Sequence, residues 1–248
     1  MMLRDALAAQ GQWLFRWRGQ VPFIFAPVTL WAIHQSGSVH ERIGTTADGL
    51  WESGCVILAL IGLALRAATV GHAPRGTSGR NTRSQEAASL TTTGMYSLMR
   101  HPLYVANFLI FLGMALFPGV GWFAVMAVLA YWLYYERIIM AEEAFLVKEF
   151  GETYQQWTQH TPALIPRLKN WRPPTCPFSL RTVLRREYSG LFAIVTVFSM
   201  MEMGELLVLR RPIAAYAETA MWLAAGCAVF VTLRTLKRHT RFLHVEGR

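Results

Sequence analysis

Residues 103–135 read "LYVANFLIFLGMALFPGVGWFAVMAVLAYWLYY", a run without one charged side chain. Its middle, "PGVG" at Pro118 to Gly121, breaks any continuous helix and turns the chain tightly. The two apolar arms that remain are each somewhat shorter than the roughly twenty residues of a full crossing. The reading is an antiparallel helix hairpin in a membrane. Its open ends are neighbours in space, so "GMYSLMRHP" at 94–102 and "ERIIMAEEAFLVKEFGETYQQW" at 136–157 are expected to meet. Arg100, His101 and Tyr104 stand at the entrance, and Glu136, Glu142 and Glu143 at and beyond the exit.

The rest of the chain agrees with a lipid environment. Of its 248 residues 53% are hydrophobic and 16% charged, with a mean hydropathy of +0.28. Soluble domains carry nearer a quarter charged residues. The fold class expected is all-α: a polytopic membrane helical bundle of about six membrane segments, the short hairpin included, plus interfacial amphipathic helices. "VPFIFAPVTLWAI" at 21–33 is the first segment, short and expected to be kinked by Pro22 and Pro27. The second runs from Trp51 to Val70, and the last two from about Tyr188 to Leu209 and Ile213 to Leu233. The opening stretch, with Trp13, Phe15 and Trp17 among Arg4, Arg16 and Arg18, reads as an amphipathic helix lying on the membrane. Residues 140–157 read as a second surface helix, since Ala144, Phe145, Val147 and Phe150 recur at helical spacing. Three parts follow: 1–90 with two membrane segments, 91–168 as the core, and 169–248 as a linker with two C-terminal helices.

The net charge of +9 would suggest nucleic acid in a soluble chain. Here the cations border apolar runs, which favours the membrane instead. Arg75, Arg80, Arg83 and Arg100, the stretch 137–186 and the tail 234–241 are basic, whereas Glu41, Asp48 and Glu52 lie between the first two segments. Both termini and the long polar loops are therefore expected on the cytoplasmic side. Arg210 and Arg211 run against that pattern. Cys55, Cys176 and Cys227 are far apart and form no CxxC pair, so neither a disulfide framework nor a metal site is expected. Glu202 and Glu205, inside an apolar segment, share a helix face. They fit a receptor for a cationic head group, or partners for Arg66, Arg210 or Arg211.

Each polar residue of the hairpin also has a plain structural reading. Pro102 suits the first turn of a helix, Arg100 suits a side chain reaching for head groups, and Glu142 and Glu143 suit a solvated helix face. Their order says more. Gly94, Tyr96, Arg100, His101, Pro102 and Tyr104, then the hairpin, then Glu142, Glu143, Phe150, Gly151 and Tyr154, with "PALIPR" closing at Arg167, resemble the isoprenylcysteine carboxyl methyltransferase and phospholipid methyltransferase superfamily. The resemblance covers 94–167, about a third of the chain. It implies S-adenosylmethionine as cofactor, with His101, Tyr104 and Glu142 lining its pocket and Tyr96, Glu143, Tyr154 and Trp157 close by. A carboxylate pairs with the donor's ammonium, and aromatic faces attract its sulfonium, by about 0.5–2 kcal/mol each.

The expected partners are the membrane and a lipid or lipidated acceptor, with no nucleic acid and the oligomeric state left open. An anionic acceptor would need a cation such as Arg100 or Arg167 and no base. An amine would need Glu136, Glu142 or a tyrosine to take its proton. Arg66, Arg75, Arg80 and Arg83 lean toward the anion, with lipid anchoring an equal reading. Two other functions fit the same shape: an NADPH-dependent sterol-type membrane reductase, whose adjacent Lys-Tyr "KEFGETYQQW" lacks, and a non-catalytic membrane scaffold.

Overall fold

The computed structural model describes residues 3–20, 24–43, 45–74 and 89–245. Among these residues the chain is helical and carries no strand. The helices are α1 (Leu3–Trp17), α2 (Ala26–Ile43), α3 (Thr45–Gly71), α4 (Met95–Leu98), α5 (Pro102–Leu116), α6 (Gly121–His160), α7 (Leu180–Val208) and α8 (Tyr216–His239). Four of them, α3, α6, α7 and α8, are long and apolar enough to cross a membrane, and α5 is a shorter apolar helix. Trp51, Leu60, Val125, Leu129, Trp132, Leu207, Trp222 and Val231 are exposed along them, as a lipid-facing surface requires. The molecule is a polytopic membrane helical bundle.

The hairpin forms where the apolar run placed it. Gly119 adopts φ +67°, which only glycine takes without strain, and its N–H donates to Leu116 O at 3.0 Å. Trp51 Nε1 donates to the same carbonyl at 2.9 Å, pinning α3 to the turn. Along the rest of their length α3 and α5 approach through small residues. A Cβ on Gly62 would lie 2.6 Å from Ala106 O, and one on Gly113 2.4 Å from Cys55 O. Close backbone contact of this kind is how helices associate where lipid removes the hydrophobic drive. Cys55, Ala59, Phe117, Ile194, Phe198 and Met201 fill the core between α3, α5 and α7.

Two expectations change. Pro27 does not kink a segment: α2 begins at Ala26, so the proline occupies its first turn, where the missing N–H costs nothing. Residues 140–157 do not form a separate returning helix. They continue the second arm of the hairpin without a break as far as Gly151, whose φ of +52° and ψ of −127° redirect the last turns. No residue between Gly121 and Phe150 supplies a stop signal, so the helix extends through its polar half. The N-terminal helix is docked on protein: Gly11 is buried against the Arg137 main chain, Gln10 Oε1 accepts from Arg137 Nε at 3.0 Å, and Leu14 O accepts from Tyr134 at 3.3 Å. Arg75, Arg80 and Arg83, Pro22, and the side chains of Arg4 and Glu41 lie outside the described residues.

The buried charges pair differently from expectation. Arg66 takes Glu187 of α7 as a bidentate partner, Nε to Oε2 at 2.7 Å and Nη2 to Oε1 at 3.1 Å, and also donates to Asn107 Oδ1 on α5. It is therefore engaged away from Glu202 and Glu205, whose carboxylates gather with that of Glu52 within 4.8 Å of one another.

Candidate functional site

The site is built by two irregular segments that hold each other at the open end of the hairpin. Before α5 the chain is extended at Met99 and bends at His101, and after α6 it is extended again at Thr161. The second segment is rich in proline, which has no N–H but keeps its carbonyl. Those carbonyls serve the first segment: Arg100 N–H donates to Pro162 O at 2.9 Å and His101 N–H to Ala163 O at 3.1 Å. Arg167 N–H returns a bond to Leu98 O at 3.0 Å, and Gly94 N–H donates to Arg172 O at 2.9 Å. Gly94 has φ +61° with Pro174 pressed against it, so a side chain there would meet both strain and contact.

On this frame the predicted residues converge. His101 is 4% exposed, and its Nε2 lies 3.1 Å from Glu143 Oε1, which also accepts from Arg100 Nη1 at 3.0 Å. His101 Nδ1 faces Glu142 Oε2 at 3.8 Å. Tyr104 stacks on the His101 ring with centroids 5.6 Å apart and leans on Tyr135 at 5.2 Å. Past the break at Gly151, Tyr154 turns inward to 1% exposure beside Trp157, their rings 5.6 Å apart. Tyr96 sits close enough that the Glu142 charge adds to burial in raising its phenol above the ordinary range. Glu136 and Arg167 are not drawn into this cluster. Glu136 is half-buried two turns before Glu143, and the Arg167 side chain is exposed, bound to the site only by its main chain.

Two buried polar atoms of the cluster, Glu142 Oε2 and Trp157 Nε1, have no hydrogen-bond partner, and the Tyr154 hydroxyl and the Arg100 side chain have only each other beyond the Arg100–Glu143 pair. Buried polar groups are almost always satisfied, and their concentration in one place marks where a polar ligand belongs. The set offers chemistry of both kinds. Glu143 accepts from His101 Nε2, so the neutral imidazole presents Nδ1 as an acceptor beside Glu142 Oε2. Arg100, Tyr154 and Trp157 present donors.

Residues that the sequence reading passed over complete the surroundings. Asn107, Tyr131 and Tyr135 lie in the apolar arms, and Tyr131 donates to Tyr104 O at 2.9 Å. The polar amide in α5 and the four-residue spacing of the two tyrosines were the available signals. Glu187 offered none, being far downstream in a helix read only as a span.

Parts of the chain are similar to known proteins. The phospholipid methyltransferase family profile matches residues 55–153, which include α5, the turn and most of α6. The chain is 40% identical over 129 residues to the cobalt-zinc-cadmium resistance protein CzcN of Cupriavidus metallidurans, covering 50% of this chain and 56% of that protein. It is 30% identical over 127 residues to the nickel-cobalt-cadmium resistance protein NccN of Alcaligenes xylosoxydans, covering 51% and 59% respectively. Protein-S-isoprenylcysteine O-methyltransferase of Schizosaccharomyces pombe is 36% identical over 77 residues, covering 31% of this chain and 33% of that protein. The chain thus spans about half the length of the first two relatives. No solved structure matches. The profile match spans the part of the chain that carries His101, Glu142 and Glu143, and that part resembles the phospholipid methyltransferases, as a shorter stretch resembles the isoprenylcysteine enzyme.

Proposed function

We propose that the protein transfers a methyl group from S-adenosylmethionine to a lipid-borne acceptor at the cytoplasmic face of the membrane. The observation that carries the reading is the pair of unsatisfied buried polar atoms in the His101 cluster, Glu142 Oε2 and Trp157 Nε1. Acceptors at Glu142 and His101 suit the ammonium of an amino-acid group, and donors at Arg100, Tyr154 and Trp157 suit its carboxylate. The bound cofactor supplies an electrophilic methyl on a sulfonium, so the reaction needs alignment more than covalent help from the protein. Glu143 contributes by fixing the imidazole and Arg100 at once, and Tyr104 by supporting the ring from its face. Glu142 is the carboxylate left to hold a cation or to receive a proton from an amine acceptor.

Two cations proposed for an anionic acceptor are otherwise occupied: Arg100 by Glu143, and Arg66 by Glu187 and Asn107. The acceptor class is accordingly left as a carboxylate, a phosphate or an amine head group. The names of the first two relatives refer to metal resistance rather than to a reaction, so the reading leans on the family and the isoprenylcysteine relative.

Isothermal titration of the detergent-solubilised protein with S-adenosylmethionine, S-adenosylhomocysteine and NADPH tests the cofactor. Binding of both sulfur compounds supports methyl transfer, and binding of NADPH alone would transfer the assignment to a reductase. Labelled donor incubated with a total lipid extract then identifies the acceptor by the species that takes up label.

A further inference from the structure

Five polar groups from four helices are joined beneath the site, and their chemistry allows only one direction. Glu187 of α7 grips Arg66 of α3 through two bonds. An arginine can only donate, so the Arg66 Nη1 bond to Asn107 makes Oδ1 the acceptor and fixes which way the amide faces. The amide nitrogen of Asn107 is then the atom that meets the Tyr135 hydroxyl, with which Asn107 is hydrogen-bonded. At the far end, the Tyr104 carbonyl can only accept, so the single proton of the Tyr131 hydroxyl is committed to it at 2.9 Å. Tyr131 and Tyr135 are also hydrogen-bonded, their rings stacked at 4.2 Å, and Tyr135 must supply that proton. The chain therefore runs Arg66, Asn107, Tyr135, Tyr131, Tyr104.

Its endpoint is the first turn of α5. Tyr104 N–H donates to His101 O at 3.1 Å, and the Tyr104 ring stacks on the imidazole. We propose that Asn107 and Tyr135 are positioning residues, which transmit the anchor of the Arg66–Glu187 pair to the His101–Tyr104 unit. The proposal rests on the reading of that unit as part of the methyl-donor site. It has two consequences. Tyr131 and Tyr135 already spend their protons inside the chain and accept one each, so neither is the base for an amine acceptor. Helix α7, outside the family-matched region, contributes to the site through Glu187.

Asn107→Asp is the discriminating variant. It keeps an acceptor for Arg66 but replaces the donor to Tyr135 with a second acceptor, at nearly unchanged volume. Two readouts are taken: the affinity for S-adenosylhomocysteine, and the ¹³Cε1–H NMR signal of His101 in ligand-free, histidine-labelled protein, assigned by its loss in His101→Ala. Asn107→Asp and Tyr135→Phe should each weaken binding about tenfold and shift the His101 signal, while the melting temperature stays near that of the wild type. The double variant should be no weaker than the worse single one, since both cut one chain. An unmoved His101 signal in both variants overturns the proposal, whether or not any donor binds. Wild-type-like affinity in both also overturns it. Failure of the wild type itself to bind either sulfur compound counts against the methyl-donor reading, and the ligand-free signal then decides the positioning claim.

Discussion

Glu143 and Glu142 are adjacent in sequence but do different work. Glu143 is spent on the Arg100 guanidinium and the His101 imidazole, whereas Glu142 keeps a buried oxygen without a partner. A hydrogen bond to a charged group contributes about 1.5–3 kcal/mol. Glu142→Gln should therefore weaken S-adenosylhomocysteine roughly ten- to a hundredfold and leave the fold intact, and His101→Ala should do at least as much. Calorimetric affinities equal to the wild type in both variants would mean that the ligand lies elsewhere. Tyr96 gives a pH test. Burial first, and the Glu142 charge second, raise its phenol above the ordinary value. The protonated form is the one the fold favours, so its contribution is whole below the ordinary tyrosine value of about 10 and is lost as pH rises from there toward the folded-state value. The melting temperature of the wild type should fall more steeply above about pH 10 than that of Tyr96→Phe. Parallel slopes would show that the phenol is not held in this way.

At the scale of elements, the contact between α3 and α5 sets the height at which His101 is presented. Gly113 has Cys55 O where a Cβ would stand, and Ala59 packs beside it. Gly113→Val forces main chains apart and should destabilise the protein by about 1–3 kcal/mol, as overpacking does. The same change at Gly54, which has open space around it, should cost much less. Similar melting temperatures for the two variants would remove the close α3–α5 contact from the account. The polar half of α6 teaches a related lesson. Its helical periodicity was legible in Ala144, Phe145, Val147 and Phe150, but periodicity says nothing about whether two helices are one. Continuity from Gly121 to Phe150 follows from the absence of a breaker, and the real break waits for Gly151.

For the whole molecule, the charges on the loops predict sidedness. Asp48 lies in the first turn of α3, at the end away from the site, and Lys169 lies in the segment that follows α6. Single cysteines at Asp48→Cys and Lys169→Cys, in a background without the three native cysteines, should be labelled from opposite sides of the membrane. Lys169→Cys should react with a membrane-impermeant reagent only after permeabilisation. Labelling of both from one side would overturn the proposed cytoplasmic placement of the site.

The sequence by itself determined the hairpin, because uncharged length and a Pro-Gly turn are local properties that lipid rewards directly. It also brought His101 to Glu142 and Glu143, since a short turn makes distant residues neighbours. Only the tertiary structure decided which charges are used up and which remain. Arg66 could have served Glu202, Glu205 or a ligand, and it serves Glu187 because α7 packs where that carboxylate meets it. Pairing of buried ions depends on which helices touch and at what height, and no spacing along one chain encodes that.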